Sequence, residues 1–284
     1  MCCLNLRAIL LNFVRNPPAP GRALATLLGN GQCDTAADPI EAYQAAIDTD
    51  TKILVGLWAS AGRYVFENEL RALTTAVFTL GAAFTDRVIG ISVGSEDLYR
   101  SSALGIASNA GDGAAVAEIL EYIGMLRDWT RGTLLEGKPI THVDTWSAWI
   151  QPESSGVIAA IDFLGHNSFP YFEGAVPNAI ETASDHFWWA VGVTESVAQG
   201  KPVWVTETGW PDSTRDYVAG PVFHDAVPSI ENAQTYWKTI GCSLFGKRNI
   251  FWYTLLDGAM TDSDISFGIT PASSTIPKFD LACY

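Results

Sequence analysis

Long hydrophobic runs, metal-binding motifs and glycosylation sites are all missing from this 284-residue chain. No apolar run reaches the roughly 18–20 residues that a membrane span needs, so no membrane-spanning segment is expected. There is no Cys-x-x-Cys pair and no His-Glu-x-x-His spacing, and the four histidines are scattered. We therefore predict neither a metal site nor a cofactor. An Asn-x-Ser/Thr sequon and the hydrophobic tail of a lipid anchor are also absent.

Positive charge is scarce as well. The chain has 17 Lys and Arg against 31 Asp and Glu, which gives a formal net charge of −14. Such a surface repels nucleic acids and anionic membranes but does not affect a neutral polymer such as a polysaccharide. Charged residues make up only 17% and apolar residues 48%, so a sizeable folded core is expected. Ten Trp, nine Tyr and thirteen Phe supply rings that pack in the core or stack on sugars.

The five cysteines lie at both ends of the chain: Cys2, Cys3, Cys33, Cys242 and Cys283. An odd number leaves at least one of them without an intramolecular partner. A Cys242–Cys283 bridge is one hypothesis, and buried free thiols are the alternative.

Short apolar runs alternate with helical patterns, which is typical of βα units and a parallel sheet. Helices are predicted around Phe66–Leu80, Val116–Leu126 and Phe187–Gln199, and after Ser229. Six strands are predicted: Ile53–Trp58, Val88–Gly94, Ile140–Thr145, Ile161–Gly165, Val203–Thr206 and Ile250–Leu255.

The first fifty residues do not contain an obvious first strand. Ala23–Leu28 is a candidate strand, whereas the prolines at 17, 18 and 20 exclude a central strand at those positions. The apolar stretch within Met1–Val14 is too short to resemble that of a secretory signal well.

Two glutamates stand where buried strands should emerge into loops. Glu96 follows the run from Val88 to Ser95, and Glu207 ends the run from Pro202 to Thr206. A carboxylate in such a place is often only a helix cap or a surface residue. However, a parallel barrel carries its chemistry at the carboxyl ends of its strands, and glycoside cleavage requires two carboxylates on either side of one bond.

The segments around these glutamates resemble the two signatures of glycoside hydrolase family 17. They are Val-Gly-Ser-Glu-Asp-Leu-Tyr-Arg at 93–100 and Trp-Val-Thr-Glu-Thr-Gly-Trp-Pro at 204–211. The fungal cell-wall glucan endo-1,3-β-glucosidases are the most similar branch. Further matches lie at 54–60, 142–146, 169–172 and 252–255, so the resemblance runs from about residue 38 to residue 283.

This resemblance implies an α/β fold, a (β/α)8 TIM barrel with an atypical or incomplete first strand region. It makes Glu96 the acid/base and Glu207 the nucleophile of a retaining reaction on β-1,3-glucan. The expected protein is a monomeric enzyme that is secreted to the fungal cell wall. Residues implied in substrate binding are Ser95, Asn167, Tyr171, Trp210, Trp252 and Asp257.

Several of these roles have a plain structural alternative. Asn167 is expected to contact a sugar hydroxyl and Tyr171 to hydrogen-bond Glu207, but both also fit a turn before Pro170. Trp210 and Trp252 are either sugar platforms or barrel core, and Asp257 either lines the cleft or lies on a loop.

Two departures from the family pattern affect the prediction. Many relatives have Asn before the acid glutamate, where this chain has Ser95. The family's opening Gly-x-Asn-Tyr-Gly strand is also missing. We therefore predict an atypical N-terminal segment at residues 1–37, consistent with a misplaced gene start, and a barrel domain at 38–284.

Three other functions compete with hydrolysis. Glucanosyl transfer uses the same intermediate with a second glucan in place of water. A non-catalytic wall glucan-binding protein would follow if the missing first strand disabled the barrel. Gly-Ile-Ser-Val-Gly at 90–94 matches a serine-esterase elbow, but Ser92 is predicted to lie inside a strand rather than on the sharp turn that this chemistry needs.

Overall fold

Eight strands close into a barrel in the computed structural model of the chain. The structure describes residues 38–213, 225–256, 265–271 and 274–283, together with the backbone alone of residues 9–14, 22–27 and 214. The strands are β1 (Ile9–Val14), β2 (Arg22–Leu27), β3 (Lys52–Leu57), β4 (Val88–Ser95), β5 (Ile140–Thr145), β6 (Phe163–Asn167), β7 (Val203–Thr208), β8 (Ser213–Thr214), β9 (Ile250–Trp252) and β10 (Ile265–Ser266).

The barrel order is β1-β2-β3-β4-β5-β6-β7-β9, and each neighbouring pair is parallel except where β1 takes part. β1 runs antiparallel both to β2, where Ile9 is paired with Leu27, and to β9, where Leu11 is paired with Trp252. The predicted fold class, a (β/α)8 barrel with an atypical first strand region, is thus confirmed. An antiparallel pair needs no helical crossover, which fits the short spacing between β1 and β2.

All six predicted strands are present, with ends shifted by up to three residues. The candidate strand at 23–28 corresponds to β2, whereas β1 was not predicted. The proposed domain boundary at residue 37 stays a prediction.

Helices cover the outside of the barrel. They are α1 (Ala42–Asp48), α2 (Arg63–Thr85), α3 (Asp97–Ser101), α4 (Ala103–Ala107), α5 (Val116–Thr130), α6 (Trp146–Trp149), α7 (Ser155–Ala160), α8 (Ala183–Val197), α9 (Ile230–Tyr236) and α10 (Cys242–Leu244), with short turns at Pro152–Ser154, Pro170–Phe172 and Trp237–Gly241. As predicted, Phe66, Leu70 and Leu73 lie on the buried face of α2. The Ser229 hydroxyl accepts a hydrogen bond from Asn232 N at 3.1 Å and so caps α9.

A small cluster fills the barrel interior. Leu54, Phe163 and Phe251 pack together although they come from three strands that are not adjacent. Their strand neighbours Ile53 and Val55 belong to a separate outer cluster. Successive residues of a strand face opposite sides of the sheet. Since Ile53 and Val55 face outward, Leu54 faces inward, and Phe163 and Phe251 lie with it inside the barrel.

The C-terminal segment is attached covalently to the end of the helical layer. Cys242 and Cys283 form a disulfide with a Cα–Cα distance of 5.4 Å, which confirms the hypothesis of a bridge over free thiols. The Trp237 indole nitrogen donates to the Leu281 carbonyl at 3.1 Å, which fixes the same segment. In the parts of the chain that the structure describes, no helix has the length and hydropathy to cross a bilayer.

Candidate active site

Glu96 and Glu207 both lie at the carboxyl-terminal rim of the barrel. Glu96 follows β4 directly, and its backbone nitrogen donates to Val143 O on β5 at 2.8 Å. Glu207 is the penultimate residue of β7, and its carbonyl accepts Ser168 N at 3.0 Å. Because the strands are parallel, both side chains emerge at the same end of the barrel.

Asn167 joins the two carboxylates. It ends β6 and is paired with Glu207 in the sheet register. Its amide nitrogen donates to Glu96 Oε1 at 3.1 Å, and its side chain also lowers the pKa of Glu207. The Thr206 hydroxyl donates to Asn167 Oδ1 at 2.8 Å, which orients the NH2 group toward both acids. The Asn167 amide and the charge of Glu96 both act on Glu207, so the two carboxyls share one pocket.

Burial favours the neutral form of both acids. Glu207 is buried, with only 8% of the residue exposed. Its pKa is raised well above the usual range, first by burial and then by the neighbouring charge of Glu96. Burial also raises the pKa of Glu96. Two such groups in contact titrate as a unit, and together they retain a proton at pH values where an isolated carboxyl has lost it.

Arg100 limits this effect. Its guanidinium lies 3.5 Å from Glu96 Oε2 and lowers the pKa of both glutamates. The Trp58 ring, directly after β3, lies under the same guanidinium with 5.7 Å to its centroid. One acid of the pair can therefore be ionised while the other stays protonated, which is the state that two-carboxylate glycoside chemistry uses.

Tyr253 is a further residue of this pocket. It follows β9, and burial together with the charges of Glu207 and Glu96 raises the pKa of its phenol to about 12. Arg100, Thr206 and Tyr253 were not singled out from the sequence. Only Arg100 left a usable signal, since it lies one helical turn after Glu96.

The other predicted site residues are more deeply packed. Ser95 is buried at the end of β4, where its backbone nitrogen donates to Asp97 Oδ2 at 2.8 Å. Tyr171 is fully buried and packs edge-on against Trp210 at 5.4 Å, and its hydrogen bond to Glu207 stays a prediction. Asp257 lies outside the described residues.

Trp210 and Trp252 belong to one apolar cluster between the barrel and α9. Each is 2% exposed. The Trp210 indole nitrogen donates to Val227 O at 3.0 Å, and Trp252 packs against Trp237 at 4.8 Å. This burial favours the core alternative over a sugar platform.

The competing chemistries find little support among the described residues. Ser92 lies in the middle of β4, is buried, and donates from its hydroxyl to Gly94 O at 2.7 Å, so it is not on a nucleophile elbow. Among the residues that the structure describes, no group of three His, Cys, Asp or Glu side chains could hold a metal ion.

Known proteins resemble this chain in sequence and in fold. A "Probable glucan endo-1,3-beta-glucosidase eglC" of Aspergillus fumigatus is 46% identical over 273 residues, which cover 96% of this chain and 59% of that protein. The chain thus spans less than two thirds of this relative's length.

Two solved structures share the fold. The glycoside hydrolase family 17 β-1,3-glucanosyltransferase of Rhizomucor miehei superposes with a TM-score of 0.73 at 23% identity, covering 92% of this chain and 86% of that one. An active-site mutant of the same enzyme in complex with laminaritriose gives a TM-score of 0.69 at 23% identity, over 85% and 80% of the two chains.

The family match is equally extensive. Residues 31–269 match a family described as "BtgE/BtgC glycoside hydrolase domain". Together with the named relatives, it confirms the resemblance that the two glutamate motifs indicate. The chain belongs to the BtgE/BtgC glycoside hydrolase domain family.

Proposed function

We propose that the chain cleaves β-1,3-glucan with retention of anomeric configuration, with Glu96 as acid/base and Glu207 as nucleophile. The observation that carries the proposal is the pair of carboxyls at the barrel rim, where the Asn167 amide donates to Glu96 and lowers the pKa of Glu207. The sequence relatives support the substrate, because the Aspergillus protein is named a probable glucan endo-1,3-β-glucosidase.

In the proposed reaction, Glu207 attacks the anomeric carbon while Glu96 gives its proton to the departing glucan oxygen. Water activated by Glu96 then releases the sugar from Glu207. These roles need the proton of the pair on Glu96 once glucan is bound. Since the charge of Glu96 acts on Glu207, that proton is a property of the pair and can be redistributed when substrate binds.

The pocket has the polar groups that such a reaction uses. Arg100 and Asn167 favour ionised carboxylates, which helps Glu207 to attack. The phenol of Tyr253 stays protonated over the whole working pH range because its pKa is about 12, so it can donate to a sugar or carboxylate oxygen.

The same intermediate gives glucanosyl transfer when a second glucan replaces water. We further propose that the protein acts as a monomer at the fungal cell wall. The acidic surface, with a net charge of −14, does not oppose binding to a neutral glucan.

The test is incubation of the purified chain with laminarin, followed by product analysis and NMR of the newly formed anomeric centre. Shorter oligosaccharides that first appear as the β-anomer support hydrolysis with retention, and products longer than the substrate indicate transfer. Binding of laminarin without turnover would refute catalysis and leave a glucan-binding protein.

Variants assign the roles. Glu207→Ala should abolish turnover, because no carboxylate remains to form the glycosyl-enzyme. Glu96→Gln should lose activity on glucan but keep much of its kcat/KM on an aryl glycoside whose leaving group needs no proton, because only the second step then lacks its base. Glu195→Gln is the matched control: it removes a surface carboxylate of α8 that is paired with Arg248, and it should leave turnover unchanged.

A further inference from the structure

Beneath the turn that carries Glu96 lies a buried group of three ionisable side chains. His142 and Asp144 face the same side of β5, and Asp97 opens α3; each of the three is 0% exposed. None of them was singled out as a site residue from the sequence. The proposed reaction does not use them directly, so their burial calls for another explanation.

Both ring nitrogens of His142 face an acceptor. Nδ1 lies 2.6 Å from the Val93 carbonyl on β4, and Nε2 lies 3.0 Å from Asp144 Oδ2. A neutral imidazole has one N–H and one lone pair, so it can satisfy only one of these contacts. An imidazolium donates to both. The edge of the Trp149 ring, at 5.6 Å, closes the site from α6 without adding a charge.

Backbone N–H groups donate to both oxygens of the Asp144 carboxyl. Its Oδ2 accepts Leu98 N at 2.9 Å, and its Oδ1 accepts Thr145 N at 2.7 Å. Such donors favour the ionised form, so the proton between Asp144 and His142 belongs on the imidazole. A buried carboxylate is costly without a cation, and His142, 3.0 Å away, is a side chain in contact with this one that can become a cation.

The same network controls the backbone of Glu96. Glu96 has left-handed torsions, φ 61° and ψ 22°, which are unfavourable for a residue with a Cβ. Asp144 holds the turn after Glu96 through Leu98 N, and Asp97 Oδ2 holds the turn before it through Ser95 N at 2.8 Å. A strained conformation persists only where its surroundings fix it in this way.

We propose that His142 is a cationic positioning residue, whose imidazolium joins Val93 of β4 to Asp144 of β5 and thereby fixes the turn that aims Glu96 at the glycosidic oxygen. Asp144 on its own strand and Asp97 from α3 both favour a charged imidazole. Burial raises the pKa of Asp97, so Asp144 is the main counter-ion. The role assigned to Glu96 rests on the proposed function, whereas the charge of His142 does not.

The first test is the protonation state in the wild-type protein. Proton–nitrogen NMR correlation of the histidine rings at pH 7 should show protons on both nitrogens of His142. His166 is the internal control, since it is equally buried but burial lowers its pKa to about 3. It should appear neutral, with its proton on the Nδ1 that contacts Thr194 Oγ1 at 2.9 Å. A neutral ring at His142 would overturn the proposal.

The second test is catalytic. His142→Gln keeps one donor but removes the charge, so we expect misplacement of the acid. The value of kcat/KM should fall about 10- to 100-fold for an aryl laminaribioside with a poor leaving group, and stay within about twofold for the dinitrophenyl analogue. His166→Gln should change neither. Equal losses on both substrates in a folded His142→Gln would contradict a positioning role.

The NMR test and the kinetic test distinguish failure of the proposed function from failure of the His142 proposal. If the wild type cleaves neither laminarin nor the aryl glycosides, the proposed function fails, while the NMR result still decides the charge of His142. If His142→Gln does not fold, the wild-type spectrum alone confirms or overturns the cation.

Discussion

Removal of the Asn167 amide tests whether it joins the two acids. In Asn167→Ala the Glu96 carboxyl loses a hydrogen bond and Glu207 loses a neighbouring amide that favours its ionised form. A hydrogen bond to a charged group contributes about 1.5–3 kcal/mol. Glu96 is partly exposed, with 23% of its side chain accessible, so its bond is expected at or below the low end of that range. A combined loss of about 2–3 kcal/mol in the transition state corresponds to a fall of about 30- to 150-fold in kcat/KM.

The pH profile gives the more specific result. Asn167 lowers the pKa of both Glu96 and Glu207, so its removal raises both. The acid limb of kcat/KM, where the nucleophile must be ionised, and the basic limb, where the acid must be protonated, should then both move to higher pH.

The assay is kcat/KM for a soluble laminari-oligosaccharide as a function of pH. Thr206→Val is a milder companion, because it removes only the hydroxyl that orients the amide, and it should shift the profile in the same direction by less. Thr235→Val, which removes a hydroxyl from the surface of α9, is the matched control. A lower rate in Asn167→Ala with an unmoved profile would refute the joining role.

Three further predictions concern stability. The pKa of Glu207 is raised in the folded state, so the folded protein binds this proton more tightly than the unfolded chain does. Wild-type stability therefore falls as pH rises above about 4.5. Glu207→Gln should raise Tm at pH 7 and lose that gain below pH 4. Cys242→Ser should lower the free energy of unfolding, by at most about 4 kcal/mol for a bridge that closes a 41-residue separation, and Cys283→Ser should match it in denaturant titration. Gly94→Ala should inactivate the enzyme and lower Tm, because φ is +75° and the new Cβ would meet Asp97 Oδ2; normal kinetics would contradict the account of this turn.

Much of the barrel could be predicted from local pattern. The β4 and β5 strands are apolar runs with strong strand preference, and β5 was predicted with its observed bounds, Ile140–Thr145. The ends of β6 and β7 were harder, because Asn167 and Glu207 have little strand preference of their own and are kept in the strands by pairing with each other.

β1 was missed for a different reason. Its six residues, Ile9–Val14, include Asn12 and resemble part of a weak targeting signal. Its direction depends on pairing with β2 and with the distant Trp252 of β9, and no local pattern encodes such contacts.

The site residues also differ in whether local sequence or the closed barrel determines their place. Glu96, Glu207 and Asn167 could be predicted because each follows or ends a recognisable strand within a distinctive motif. Tyr253 and His142 depend on which side chains the closed barrel brings together. Trp210 and Trp252 show the reverse, since an aromatic residue in a motif looks the same in sequence whether it meets sugar or core.

Trapping of the covalent intermediate tests the central claim most directly. Incubation with a 2-deoxy-2-fluoro-laminaribiosyl fluoride, which slows both steps of a retaining reaction, should inactivate the protein and label one peptide. Mass spectrometry should locate the label on Glu207, and Glu207→Ala should stay unlabelled. A label on another residue, or cleavage of laminarin with inversion and no label at all, would contradict the account.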